Sequence, residues 1–255
     1  MNHTATLIQL TDNLKALKLA TMARGMESSL RQAREIGVDY DEFLLSLTTE
    51  ELQARFENRL KRRLREAKFP LIKPLESFDL SAVPDLDIRL FRELAGGEFI
   101  RERRNVIFLG HSGAGKTHMA TALGIEACKK NYRTRFVTCY GLVNELLEAR
   151  EERDLQRILQ RYARYDLLIL DELGYIPFSK EGGELLFQVL AERHERGSVM
   201  ITTNLGFADW TQIFGDAAMT AALLDRLTHR AHIINCPWDS YRLKQSLQHQ
   251  RKTEQ

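Results

Sequence analysis

The chain has 255 residues, 44% of them hydrophobic and 28% charged, with a formal net charge of +2. This balance suits one α/β domain plus a small appendage and excludes a wholly disordered or fibrous chain. The longest apolar stretches, Val106–Leu109 and Leu167–Leu170, fall far short of the ~20 residues of a membrane span, and Met1–Leu10 lacks the basic and apolar regions of a secretory signal, so a cytoplasmic protein without membrane contact is expected.

As far as about residue 68 the chain reads as a helical domain. Leu7, Leu10, Leu14 and Leu17 recur at helical spacing, and Asp39–Leu47 carries Phe43, Leu44 and Leu47. Thr48-Thr49-Glu50-Glu51 places a cap before acidic residues and predicts a new helix start, running on through Leu52, Phe56, Leu60 and Leu64. The end of that helix is basic, with Arg59, Lys61, Arg62, Arg63, Arg65 and Lys68 around a single Glu66. Pro70, Pro74 and Pro84 punctuate the next stretch, so residues 69–97 read as a linker and the start of a core.

From residue 98 to 255, strands and helices alternate. The apolar runs Val106–Gly110, Arg135–Thr138, Leu167–Asp171, Val199–Thr203 and Ile233–Cys236 are separated by helical segments that include Met119–Lys130, Val143–Arg164 and Glu184–Glu195. Continuous apolar strands alternating with helices predict a five-stranded parallel sheet covered on both faces. Cys128, Cys139 and Cys236 are odd in number and widely spaced, which suits free thiols in a reducing compartment and gives no zinc-site spacing.

Gly110-His111-Ser112-Gly113-Ala114-Gly115-Lys116-Thr117 fits G-x-x-x-x-G-K-[ST] and lies between an apolar run and a helix. Glycines let successive backbone N–H groups point at phosphate oxygens, and the following helix directs its positive end at the same anion. The stretch from Gly110 through Ser112, Gly113, Ala114 and Gly115 to His118 is therefore the expected nucleotide cradle. Lys116 is placed to reach the β- and γ-phosphates and Thr117 to ligate Mg²⁺. Leu167–Leu170 ends in Asp171-Glu172, acids at the strand edge where open α/β sheets bind ligands. Asp171 is the second metal candidate, and Glu172 the candidate to polarise the water that attacks the γ-phosphate. Asn204, after Ile201-Thr202-Thr203, could bond that phosphate and the water if its strand neighbours the acidic one; a turn cap is the plainer role for such a residue.

P-loop, strand-end Asp-Glu and strand-end Asn in this order resemble the AAA+ ATPases. That resemblance implies ATP as the nucleotide and an arginine supplied by a neighbouring subunit. Leu224-Asp225-Arg226-Leu227-Thr228-His229-Arg230 lies where that arginine motif would be; likeness to replication initiators makes Arg230 the first choice as finger with Arg226 as support, the reverse assignment staying open. Further strings narrow the match: Arg62-Arg63 through Lys68-Phe69-Pro70, Leu170-Asp171-Glu172-Leu173-Gly174-Tyr175, Thr202-Thr203-Asn204-Leu205, Phe214-Gly215-Asp216 and Ser240-Tyr241-Arg242-Leu243 resemble the IstB family, ATP-binding helpers of insertion sequences related to DnaC-type helicase loaders. The resemblance implies an AAA+ core with a truncated lid, since only Pro237–Gln255 follow the fifth strand. It also implies an Mg²⁺-dependent ATPase that oligomerises on duplex DNA and serves a partner transposase. A helicase loader is the alternative, separated from it by what the helical front segment docks on. A metabolite kinase and a DNA-binding protein with a vestigial nucleotide site are more distant rivals.

DNA contacts are expected at the Arg59–Lys68 cluster. A second expected site is an arginine stripe of Arg150, Arg153, Arg157, Arg161 and Arg164 on one face of the helix pair Val143–Arg164, and a third is Lys180. No base-reading motif is present, so binding should be largely independent of sequence. Arg242 is a candidate lid arginine. Phe78 and Phe91 could border the adenine, though packing is their plainer role.

Overall fold

A computed structural model describes residues 3–77, 83, 85–238 and 240. Phe78, Pro84, Arg242 and the C-terminal helix expected after Pro237 lie outside the described residues, Pro237, Trp238 and Ser240 apart. The chain divides at Arg62/Arg63 into two compact units.

The first unit is built from helices α1 (His3–Ala16), α2 (Ala20–Ile36) and the greater part of α3 (Tyr40–Ala67). Its small core gathers Leu14, Met22, Met26 and Leu47, with Leu7, Leu30 and Phe43 packed against it. The helix start expected at Thr48–Glu51 does not occur, because α3 runs through it. Thr48 and Thr49 turn their hydroxyls back onto the Leu44 and Leu45 carbonyls at 2.8 and 2.7 Å, a local bond that satisfies a hydroxyl inside a helix. Glu51 caps a different helix: its carboxylate accepts from the Thr21 and Met22 amides at 2.8 and 3.1 Å, at the start of α2.

The second unit is an α/β sandwich. Helices α4 (Ile88–Gly96) and α5 (Glu98–Arg101) lead into β1 (Val106–Gly110) and α6 (Lys116–Lys129). Next come β2 (Thr134–Thr138), α7 (Cys139–Glu151), α8 (Leu155–Ala163), β3 (Leu167–Leu173) and α9 (Lys180–Arg193). The chain continues through β4 (Ser198–Thr203), α10 (Thr211–Phe214), α11 (Ala217–Thr228) and β5 (His232–Cys236). The sheet order is β2-β3-β4-β1-β5, with every pair parallel. Alternation splits the strand residues between two cores. Phe108, Ile169, Met200 and Ile234 pack with Met119 and Leu123 of α6; Ile107, Leu170 and Ile201 pack with Leu146, Leu186 and Leu223 on the other face.

The segment 143–164 forms the expected pair of helices, α7 and α8, but the arginine stripe expected along it is broken. The chain turns at 152–154, where Arg153 adopts φ +59°. The ends then fold into an α7–α8 hairpin in which Arg161 pairs with Glu145 and Arg157 with Asp154. Three-to-four spacing gives one face only while one helix continues.

Arg193 ties three elements together. Its guanidinium, 2% exposed, donates to the carbonyls of Tyr162, Tyr165 and Ser198 at 2.7, 2.9 and 2.9 Å. Arg193→Leu would leave these carbonyls without their donors. It should cost about 2–4 kcal/mol and lower the melting temperature by roughly 5–10 °C, as read by thermal unfolding. Nearby, Asn105 accepts from the Val199 amide at 2.9 Å and donates to Leu227 O at 3.0 Å, joining β4 to the end of α11.

Candidate functional site

Because all strands are parallel, their carboxyl ends share one edge, and the loop after β1, the acids of β3 and Asn204 after β4 meet there. Gly113 and Gly115 adopt φ +84° and +82°, left-handed values that glycine takes freely. A Cβ on Gly113 would lie 2.0 Å from Ser240 Oγ, so crowding and conformation both require glycine. The Trp238 indole N–H donates to Ala114 O at 2.8 Å, fastening the loop to the chain beyond β5. Helix α6 begins after Gly115 with no side-chain cap, which leaves its first-turn amides to an anion. Lys116 is buried and donates to the Gly110 and His111 carbonyls at 2.7 and 2.8 Å. Ser112 is exposed and Ala114 buried. His118 is half-buried; burial, then the charge of Lys73, hold its imidazole below the usual range.

The acids sit on a distortion that periodicity did not reveal. Leu170 pairs with Ile201, but Leu173 pairs with Thr203, so Asp171 and Glu172 together face Thr202. This β-bulge adds one residue. Strict alternation would carry Leu173 to the opposite face; the extra residue keeps it in the core of Leu170. Glu172 absorbs the irregularity with φ +62° and an exposed side chain. Asp171 stays buried and accepts from the Thr117 hydroxyl (3.0 Å to Oδ1, 3.1 Å to Oδ2) and from Thr202 (2.5 Å). Burial pushes its carboxyl up, against the hydrogen bonds from Thr202 and Thr117 and the charge of Lys116. A hydroxyl and a carboxylate in contact, both oxygen donors, suit a hard cation such as Mg²⁺. The uncapped α6 terminus beside Lys116 suits the phosphates such a cation accompanies.

Thr202 is the residue to which sequence reasoning gave no role of its own. The signal was present, since a threonine within the buried run Val199–Thr203 must find a partner.

The arginines of the expected finger lie elsewhere. Arg230 precedes β5 and so stands at the amino edge of the sheet, whereas the P-loop follows the carboxyl end of the adjacent β1. A five-residue strand separates the two edges by roughly 15 Å. Arg226 is half-buried with its guanidinium 5.5 Å from the Phe187 ring centroid. Arg230 is exposed, and among the described residues no ion pair holds it. Both line a cavity of about 350 Å³ in which five arginines, Arg101, Arg103, Arg193, Arg226 and Arg230, face two acids, Glu102 and Glu195.

The expected DNA contacts differ in availability. Arg59, Lys61, Arg62, Arg65 and Lys68 are exposed. Arg63 is mostly buried and bonded to Asn131 and Glu66 at 3.0 Å each. Arg150 pairs with Glu181 at 2.6 Å, while Arg153, Arg164 and Lys180 are exposed. Phe91 belongs to the core.

The family model for the IstB-like ATP binding protein matches residues 12–249. The chain belongs to this family. It is 40% identical over 232 residues to the insertion sequence IS21 ATP-binding protein of Pseudomonas aeruginosa, covering 91% of this chain and 88% of that one. It is 36% identical over 236 residues to the IS232 counterpart in Bacillus thuringiensis subsp. berliner, covering 92% and 94%. Among solved structures, the DnaC helicase loader superposes with a TM-score of 0.53 at 20% identity, over 69% of this chain and 99% of that one. AMPPCP-bound DnaA from Aquifex aeolicus gives 0.57 at 16% identity, over 71% of this chain and 56% of that one. These likenesses establish the AAA+ fold of this IstB-family member. Among the described residues, no helix is long and apolar enough to cross a membrane.

Proposed function

We propose that this IstB-family chain is an Mg²⁺-dependent ATPase that assembles on duplex DNA, hydrolyses ATP between subunits and presents the DNA to a transposase. One observation carries the reading: Arg230 and the P-loop occupy opposite edges of one sheet. An arginine side chain does not span that distance, which supports reading Arg230 as a finger for a neighbour's triphosphate rather than its own. The description of the Pseudomonas and Bacillus relatives as insertion-sequence proteins favours a transposase over a helicase as partner.

The loop amides and the α6 terminus would bind the phosphates, with Lys116 turning from the Gly110 and His111 carbonyls to the β/γ oxygens. Thr117 and Asp171 would hold Mg²⁺, which on binding neutralises charge that develops on the transferred group. Glu172, in solvent at the same edge, accepts the proton of the attacking water, and Asn204 orients that water. Arg230 of the adjoining subunit stabilises the charge of the transition state, with Arg226 held beside it by Phe187. Loss of the γ-phosphate removes the ligand that joins two subunits, so turnover loosens the assembly. The exposed basic residues Arg59, Lys61, Arg62, Arg65 and Lys68 neutralise DNA phosphates without reading bases, aided by Arg153 and Lys180.

Sedimentation of the full chain with ATP and duplex DNA tests this. Assemblies should form, weaken as salt is raised and dissolve as ATP is consumed. Lone protomers under saturating ATP and DNA would overturn the reading. Capture of the purified chain by a replicative helicase rather than a transposase would reassign its partner.

A further inference from the structure

We infer that Thr202 is a positioning residue of the hydrolysis site: a single hydroxyl fixes both the metal-binding carboxylate of Asp171 and the backbone turn that carries Glu172. The inference deepens the ATPase reading and rests on it.

A threonine hydroxyl has one proton to give and lone pairs to receive. In Thr202 both are engaged with neighbouring residues of one strand. The proton goes to Asp171 Oδ1 at 2.5 Å, and the oxygen accepts the Glu172 N–H at 3.0 Å. The second bond replaces a ladder bond that the bulge abolishes, since the extra residue leaves its N–H without a strand partner. Thr202 is itself 1% exposed. It lies on β4 between β3 and β1, paired with Phe108, so its backbone cannot drift, and its branched side chain has few rotamers. The metal ligand and the candidate base are therefore referenced to one rigid point. Thr117 reaches the same carboxylate from α6, so Asp171 is held from two sides, and the Glu172 amide donates to Thr202 Oγ1 while also bonding the Asp171 carboxylate.

Thr202→Val keeps the shape and deletes both bonds; Thr202→Ser keeps both bonds and deletes a methyl group. In the full chain, the valine variant should lose roughly tenfold in kcat, with KM for ATP within about twofold, and bind Mn²⁺ roughly tenfold more weakly in the presence of AMPPCP, measured by electron paramagnetic resonance. The serine variant should match the parent in both measurements. Combined with Glu172→Gln, Thr202→Val should remove no further turnover, because the two act on one step. Should the valine protein not fold, Thr202→Ala is compared with serine in its place. Parental kcat and Mn²⁺ affinity in the hydroxyl-less variant, or a serine variant as impaired as valine, would overturn the inference. A merely structural threonine would lower the melting temperature and leave the metal affinity and the split between kcat and KM alone. A parent that hydrolyses no ATP would count against the ATPase reading, and the Mn²⁺ measurement would still decide the role of Thr202.

Discussion

Glu172→Gln should reduce ATP turnover by about 10²- to 10³-fold while leaving ATP affinity within roughly threefold, because an amide of the same shape cannot take a proton from water. The side chain is exposed at the carboxyl edge of β3 and makes none of the P-loop contacts, so binding has no reason to suffer. Assemblies on DNA should then persist with ATP uncleaved. A glutamine variant that turns over ATP at the parental rate would remove Glu172 from the mechanism.

The backbone at the same position supplies an independent test. A non-glycine residue at φ +62° costs about 1 kcal/mol or more, which glycine avoids. Glu172→Gly should therefore raise the melting temperature by roughly 2–4 °C per kcal/mol relieved while abolishing turnover. Strain that persists at a site where its relief inactivates the protein is strain kept for function. A glycine variant no more stable than the parent would show that the strain at Glu172 does not exceed the roughly 0.5–1 kcal/mol of backbone entropy that glycine adds to the cost of folding.

The parts of the site that were legible in the sequence are those whose chemistry demands a residue type at a fixed spacing. A phosphate and metal cradle of this kind calls for backbone amides, a lysine and a hydroxyl within one loop, so the string Gly110–Thr117 could be read without knowing any neighbour. The sheet was legible because buried parallel strands are written as continuous apolar runs. What escaped depends on partners distant in sequence. The bulge arises from the register of β3 against β4, and Thr202 matters only because that register sets it opposite two acids. Thr48 and Thr49 carry the letters of a cap, yet their hydroxyls bond within a continuing helix and Glu51 caps α2. The arginine spacing over 150–164 gives one face only within a single helix, and the turn at Arg153 between the two expected helices breaks it, with ion pairs then occupying Arg150, Arg157 and Arg161.

Arg230→Ala and Lys116→Ala should each abolish hydrolysis, by about 10³-fold or more, and a mixture of the two should recover it. The first variant keeps its P-loop and lacks the finger; the second keeps the finger and lacks the phosphate-binding lysine. If Arg230 acts across an interface, a junction between the two kinds of subunit in one orientation holds a complete site. Random mixing in equal amounts makes such junctions half times half of the total, so roughly a quarter of parental activity should return. A finger acting within its own chain would give no recovery at any ratio, because no single subunit would hold both groups. Arg226→Ala serves as the comparison. Its guanidinium rests on Phe187 and is half-buried, so its loss should lower turnover less than the loss of Arg230. The reverse order would exchange the two roles, while a mixture that stays inactive would confine catalysis to one subunit, because the Lys116→Ala chain still carries every arginine of the cavity.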